Sequence, residues 1–208
     1  MQALLIDAAG TLLHLNEPAA ATYARIGRSF GVQRSEVLIQ RGFSSAMRAE
    51  HDGPRYVGDG RPFWRAVVAQ ATGCADPDYF EAVYAAFGAP AWSLAPGALA
   101  ALDVLRAGGI AVGVVSNWDT RLRPILASLG VLERIDVAVI SGELGVEKPD
   151  PRIFHAACRA LSVSPAQSAH LGDSRRADVE GARAAGLLAW HFGTDIKSFA
   201  QLPGLLLR

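Results

Sequence analysis

The sequence predicts an α/β protein: a doubly wound parallel sheet with a helical insertion after its first strand. Three observations predict it. From residue 96 onward, short apolar runs alternate with helical patterns across short loops, which implies parallel strands covered by helices on both faces. The chain opens with a short buried strand, Ala3–Ile6, that delivers Asp7 to a break at Gly10 and Thr11. Between that strand and its next partner, in residues 15–95, nothing alternates like a strand.

Each element has its own signal. Leu4, Leu5 and Ile6 form too short an apolar run for a helix. Asn16 reads as the cap of a helix over 18–30, with Pro18 in its first turn and Gly31 at its end. Ser35 opens a second helix, to residue 48, with Val37, Leu38, Phe43 and Met47 as apolar positions. The run HDGPRYVGDGRP at 51–62 is a loop by its glycines and prolines. Helices over 63–71 and 77–87 follow, the second capped by Asp76 with Pro77 at its first position. Next come helix 97–107, closed by Gly108 and Gly109, strand 110–115, helix 120–129 and strand 137–140. Asp150 caps helix 151–161, and Ser164-x-x-Gln167 has the form of a capping box for a short turn. Strand 169–171, helix 177–185 and strand 187–190 complete the pattern. The expected organisation is a Rossmann-like core, residues 1–14 and 96–208, with a helical domain at 15–95.

Composition narrows the function. Of the 208 residues half are hydrophobic, which suits one domain with a sizeable insertion or two small domains. The 20 basic and 20 acidic side chains cancel, which argues against nucleic acid or an anionic membrane as partner. Cys74 and Cys158 form no CxxC pair and read as free thiols in a reducing compartment. There is no signal-peptide pattern, and no apolar run approaches the ~20 residues that span a bilayer. The expectation is a soluble, cytoplasmic protein that acts on a small molecule.

An Asp at the carboxyl end of an apolar strand stands where open α/β sheets build their sites. There it can act as a nucleophile or hold Mg²⁺. Three more stretches follow in order. VGVVSN at 112–117 ends in a hydroxyl and an amide; GVEKPDP at 145–151 carries Lys148, one of only two lysines; AHLGDSRRADVEG at 169–181 leads into Asp173 and then Asp178. With Asp7, these motifs resemble the haloacid dehalogenase-like hydrolase superfamily, whose members are mostly Mg²⁺-dependent phosphatases. The wording SNWDTRL at 116–122 is most similar to the branch named after rhythmically expressed gene 2 products. The resemblance covers nearly the whole chain, although 15–95 carries no motif. There it implies a mobile helical cap of the C1 type that closes over the site.

The resemblance also implies roles. Asp7 would be the nucleophile toward a small phosphorylated substrate, and Lys148 would neutralise the Asp7–phosphate pair. Thr11, Ser116 and Asn117 would bind substrate, the last two through phosphoryl oxygens. Mg²⁺, which prefers hard oxygens and keeps several waters, would be held by Asp7, Asp173 and the backbone carbonyl of Ala9. Asp178 would bind it through water or orient Asp173. His14, Arg48, His51, Arg55 and Arg61 are weaker candidates to face substrate, and Trp64 reads as core of the insertion.

One position departs from the pattern. The phosphatases carry a second Asp two residues after the nucleophile, which protonates the leaving oxygen and later activates water; here it is Ala9. General acid–base catalysis is worth roughly 10²–10⁴-fold, about 3–5 kcal/mol of barrier. Alkyl phosphates are therefore expected to be poor substrates. A metal-independent dehalogenase would carry a bulkier residue there and lack the Gly-Asp-Ser of 172–174. A phosphonatase carries Ala there but needs a cap lysine, and 15–95 contains none. Two readings remain. One is a phosphohydrolase that takes its acid from His14, His51 or Asp52, or needs none. The other is a metal- and phosphate-binding protein that turns over little. The first is preferred.

Overall fold

Leu4 and Ile6 face one side of a sheet and Leu5 the other, and all three are fully buried, as a central parallel strand requires. The computed structural model describes residues 1–49 and 55–207. In chain order its elements are β1 (Ala3–Ile6), β2 (Leu13–Leu15), α1 (Ala19–Gly27), α2 (Glu36–Arg48), α3 (Arg61–Thr72) and α4 (Pro77–Ala86). Then come β3 (Trp92–Leu94), α5 (Ala98–Ala107), β4 (Ala111–Ser116), α6 (Leu122–Ser128), β5 (Val137–Ile140), α7 (Ser141–Leu144) and α8 (Pro151–Ala160). The last are β6 (Ser168–Gly172), α9 (Gly181–Ala184), β7 (Leu188–His191) and α10 (Leu202–Leu206).

Five strands form one parallel sheet in the order β5-β4-β1-β6-β7. Ile6 lies between Val114 of β4 and Leu171 of β6, so β4 runs two residues and β6 one residue past the end of β1. The chain runs outward from β1 through β4 to β5, then returns to the other side of β1 for β6. The order therefore reverses between β1 and β6, where open α/β sheets bind their ligands. On one face Leu4, Ile6, Val112 and Val114 pack against Leu102 and Leu105 of α5, Leu122 and Leu126 of α6 and Leu202 of α10. On the other, Leu5 and Val115 meet Ile153, Phe154 and Ala157 of α8 and Ala182 of α9. Gly113 lets the strands close, since a Cβ there would lie 2.7 Å from Val137 Cγ1.

The helices α1–α4 bury their own cluster, which includes Tyr23, Ile39, Val68, Tyr79, Phe80 and Val83. Asp76 caps α4 by accepting from the Asp78 and Tyr79 N–H groups, and Asp150 caps α8 through Arg152 N–H. No helix among the described residues is long and apolar enough to cross a membrane.

Several expectations are corrected. Residues 15–95 do contain strand: β3 pairs antiparallel with β2, with Leu13 opposite Leu94 and Leu15 opposite Trp92. Three residues are too few to show alternation. The ribbon also draws in Asn16, whose Nδ2 donates to Pro90 O, so Pro18 rather than Asn16 sits at the start of α1. In α2, Val37 and Leu38 are 61% and 51% exposed. The inward stripe runs instead through Ile39, Gly42, Phe43 and Ala46, the i, i+3, i+4, i+7 spacing of one helix face. The capping box forms at Ser198 and Gln201, whereas Ser164 Oγ donates to the Gln167 side chain. The helix expected over 177–185 divides into a π-helical turn, Arg175–Glu180, and the short α9. Of the loop expected at 51–62, only 55–62 is described, and α3 begins within it.

Helices α2 and α3 touch most closely at Gly42, where a Cβ would stand 2.8 Å from Ala71 Cα. Helix propensity alone would favour Ala there by about 1 kcal/mol, but overpacking against backbone costs about 1–3 kcal/mol. Packing wins because neither backbone can step aside. Gly42→Ala should lower the melting temperature, and thermal denaturation followed by circular dichroism checks the sign.

Candidate active site

The turn after β1 is set by backbone. Ala8 O accepts from the N–H groups of Thr11, Leu12 and Leu13, and Gly10 takes φ +81°, which only glycine adopts freely. A side chain at Gly10 would run into the Asp173 carboxyl, so the glycine also keeps the end of β6 close to the end of β1. Asp7 emerges buried at the mouth of the sheet, with its N–H donating to Leu171 O.

A single buried cation organises what surrounds it. Lys148 Nζ donates to Asp7 Oδ1 and to Asp178 Oδ1, each at 2.6 Å, and to Val115 O at 2.9 Å. Ser116 Oγ donates to the same Asp7 oxygen at 3.2 Å. Asp178 also accepts from His170 Nε2 on Oδ1 at 2.9 Å and from Ser174 N–H on Oδ2 at 2.9 Å. Because its partner is a carboxylate, His170 carries its proton on Nε2. The π-helical turn presents Asp178 to these donors, with Asp178 N–H bonded to Ser174 O.

The charges follow from this geometry. Burial pushes Asp7 up to about 6, against the pull of Lys148, with Asp178 and Asp173 adding to the rise. Burial also pushes Asp178 upward, but Lys148 and His170 overcome it and hold the group below the ordinary carboxylate range. Burial lowers His170 despite the Asp178 bond, and it raises Asp173, helped by Asp178. Asp7 and Asp178 diverge because Asp178 accepts from three donors, His170 and Ser174 N–H besides Lys148, and Asp7 from two, Ser116 besides Lys148. Lys148 is raised: burial disfavours its charge, but its two carboxylates outweigh the burial.

The sequence-predicted residues land as follows. Asp7, Ser116, Lys148, Asp173 and Asp178 come together at the strand ends. Asn117 is beside them, but both ends of its amide hold the Lys148 backbone, Oδ1 accepting from N–H at 2.6 Å and Nδ2 donating to O at 2.8 Å. Its side chain thus sets the position of Lys148. Thr11 Oγ1 is buried with no hydrogen-bond partner among the described residues. Ala9 is exposed on the turn. Arg55 pairs with Glu147, and Arg61 with Asp59 and Glu81. Arg48 is exposed at the end of α2, and His14 is half-buried on β2. His51 and Asp52 lie outside the described residues.

The order of these motifs along the chain has a counterpart in known proteins. The sequence model of the haloacid dehalogenase-like hydrolases matches residues 1–186. The chain belongs to that family. It is 36% identical over 200 residues to haloacid dehalogenase-like hydrolase domain-containing protein 3 of Mus musculus, covering 90% of this chain and 80% of that one. It is 31% identical over 220 residues to a phosphoserine phosphatase of Thermus thermophilus, covering 91% and 87%. Identity to the rhythmically expressed gene 2 protein of Drosophila melanogaster is 26% over 225 residues, covering 96% and 85%. These relatives support the branch that the SNWDTRL wording suggests. A solved phosphatase of the family from Thermococcus onnurineus shares the fold at a TM-score of 0.72 and 24% identity, covering 99% of this chain and 98% of that one.

Two residues of this haloacid dehalogenase-like hydrolase are missed by reading the sequence alone. One is His170, a histidine inside an apolar strand that leads to Gly172 and Asp173; that placement was its only signal. The other is Asp119, fully buried within SNWDTRL. Its Oδ2 accepts from Trp64 Nε1 and Arg121 Nη2 at 2.7 Å each, and its Oδ1 from Arg121 N–H and Nε. Arg121 in turn lies 3.6 Å over the Tyr84 ring. Trp64, expected as core of the insertion, therefore ties α3 to the loop after β4. Gly58 N–H to Gly142 O and Thr120 N–H to Gly58 O tie a second segment. Between the insertion and the strand ends is a cavity of about 360 Å³ whose floor includes Ala9, Gly10 and Asn117.

Hydrolases of this family generally use Mg²⁺, and the donor set here fits one. Carboxylate oxygens of Asp7, Asp173 and Asp178 all lie within 4.8 Å of one another. These are hard ligands whose mutual repulsion a divalent cation relieves. Millimolar Mg²⁺ should therefore raise the melting temperature. Saturation at ~100 Kd adds about 2.7 kcal/mol, several degrees for a chain of this size. Asp173→Asn should abolish the rise, and a wild-type melting curve unmoved by Mg²⁺ would remove the cation from this site.

Proposed function

We propose that this protein is a Mg²⁺-dependent phosphohydrolase that works through an aspartyl-phosphate on Asp7. The observation that carries the reading is Lys148, held 2.6 Å from both Asp7 and Asp178 where the strand order reverses. Both side-chain donors to Asp7 fall on Oδ1, so Oδ2 is the oxygen assigned to attack phosphorus. Lys148 offsets the charge that gathers as a phosphate approaches a carboxylate, and Ser116 and the Asn117 backbone edge the same opening. Asp7, Asp173 and the Ala9 carbonyl would hold Mg²⁺, with Asp178 acting through water because Lys148, His170 and Ser174 already occupy its oxygens. When bound, the ion supplies further neutralisation of phosphoryl oxygens. Residues 15–95 act as the cap over this site, and 1–14 with 96–208 as the core.

The competing chemistries fit less well. A metal-free dehalogenase has no use for the clustered Asp173 and Asp178. An imine-forming phosphonatase needs a reachable lysine, and Lys148 is buried on two carboxylates. Ala9 favours a second reading, a binder of metal and phosphate with little turnover.

Ala9→Asp separates the two. It adds a carboxylate two residues from the nucleophile on a turn already set by backbone bonds. Activity on an alkyl phosphate should rise by up to roughly 10²–10⁴-fold, and on an activated aryl phosphate by less, because that leaving group departs without a proton. The comparison is kcat/KM for both esters in wild type and variant, with Mg²⁺ binding followed in parallel. Wild type should also accumulate a phosphate adduct that Asp7→Asn removes, visible by mass spectrometry. A folded, metal-binding variant with no gain, and a wild type with no adduct, would leave the binder reading.

A further inference from the structure

We infer that the cavity under the cap seats an aromatic leaving group, so that the substrate is an aryl phosphate monoester; this rests on the phosphohydrolase reading. The cavity holds about 360 Å³, enough for a group of one or two rings. Its walls include Tyr23, Phe43, Trp64, Tyr84, Phe87 and Trp92, and its floor is the turn next to the nucleophile. Such walls offer edge-to-face and offset contacts to a flat ring. Several of its polar groups are spent, which leaves His14, Tyr23, Tyr56 and Trp118 as the side chains with a polar atom still open to a ligand among the described residues. Trp64 Nε1 and Arg121 are bonded to Asp119, Tyr84 Oη donates to Asp59 O, and the Asn117 amide holds Lys148. A sugar or polyol placed here would bury more hydroxyls than the few open groups can bond, at the cost of unpaired polar groups.

Ala9 points to the same chemistry independently. With no carboxylate two residues after Asp7, the site favours a leaving oxygen that can depart as an anion. A phenol like that of Tyr ionises near ~10, far more readily than an alkanol. In the step proposed, Asp7 Oδ2 bonds to phosphorus and the bond from phosphorus to the aryl oxygen breaks. The electron pair leaves with that oxygen, which takes a proton from water. A second water then attacks phosphorus, releasing inorganic phosphate and restoring the Asp7 carboxylate.

The test compares 2-naphthyl phosphate with phenyl phosphate, whose phenols are of similar acidity, so that only bulk differs. Acetyl phosphate, a small acyl phosphate whose carboxylate leaves without an acid and which makes no ring contact, reports on Asp7 chemistry alone. Wild type should prefer the naphthyl ester in kcat/KM by roughly 10²-fold, the scale on which apolar pockets discriminate. Ala19 lines the cavity at the start of α1, and Ala19→Phe should bring the naphthyl-to-phenyl ratio near one. Ala19→Leu, a milder filling, should lower it part of the way. As a readout free of turnover, 2-naphthol should quench the fluorescence of the cavity tryptophans in wild type and far less in Ala19→Phe. Turnover of acetyl and phenyl phosphates without a naphthyl preference, or with one that the Ala19 variants leave unchanged, would overturn the inference and leave the phosphohydrolase reading standing. Quenching by 2-naphthol that Ala19→Phe weakens, with no ester turned over, would support the aromatic seat and sink the phosphohydrolase reading.

Discussion

The Lys148 ammonium between Asp7 and Asp178 is the interaction on which the site depends. Three carboxylates converge on the ends of β1 and β6, and two of them are buried. Ions removed from water are costly unless paired and bonded. Lys148 meets that cost with bonds to Asp7, Asp178 and Val115 O, and each partner comes from a different strand or turn. The sheet therefore cannot settle without bringing these groups to one point. Removing Lys148 would strand two buried carboxylates, an effect that typically costs about 3–5 kcal/mol. The chemistry at Asp7 and the folding of the core share this contact.

A second polar centre, Asp119, does for the insertion what Lys148 does for the core. It is fully buried, and its oxygens gather an indole from α3 and a guanidinium from its own loop. That guanidinium stacks on Tyr84 of α4. The main cluster of α1–α4 is separate from those flanking the sheet, so these helices lean on directional bonds, while the β3 end of the insertion joins the core through Ala89, Trp92, Leu94 and Ala95. Directional contacts of this kind can be broken and remade as a unit, which suits the cap role proposed for residues 15–95.

What the sequence revealed depended on how local the cause was. The first strand and its Asp7, the four motifs in order, and the caps at Asp76 and Asp150 are set by near neighbours, and they were legible. The β2–β3 ribbon was not, because each strand is three residues long and its partner lies nearly 80 positions away. Val37 and Leu38 misled because composition says which residues are apolar, while the packing of α2 on α3 decides which face turns inward. The side-chain bonds of Asn117 and His170 were not legible for a related reason. Each side chain is spent on a group distant in sequence or hidden inside a strand, the Lys148 backbone in one case and Asp178 in the other. The Asp119 contacts span 55 positions to Trp64 and carry no periodic signal.

The position that departs from the family pattern is also one that the fold does not constrain. The turn at Ala8–Gly10 is fixed by three N–H groups on Ala8 O and by the left-handed Gly10. The side chain at residue 9 is exposed and takes no part in that geometry. Its carbonyl would be available to a metal whatever the side chain. An acid can therefore be absent from residue 9 without disturbing Asp7, whereas Lys148 or Asp178 could not be lost in the same way. The electrostatic frame and the proton-transfer group of this site are physically separable. On the proposed phosphohydrolase reading, a chain that keeps the first without the second stays folded and charged for phosphate and favours leaving groups that need no help. The aromatic walls above Ala9 are suited to such groups, so the missing side chain and the shape of the cavity support the proposed aromatic leaving group from opposite ends.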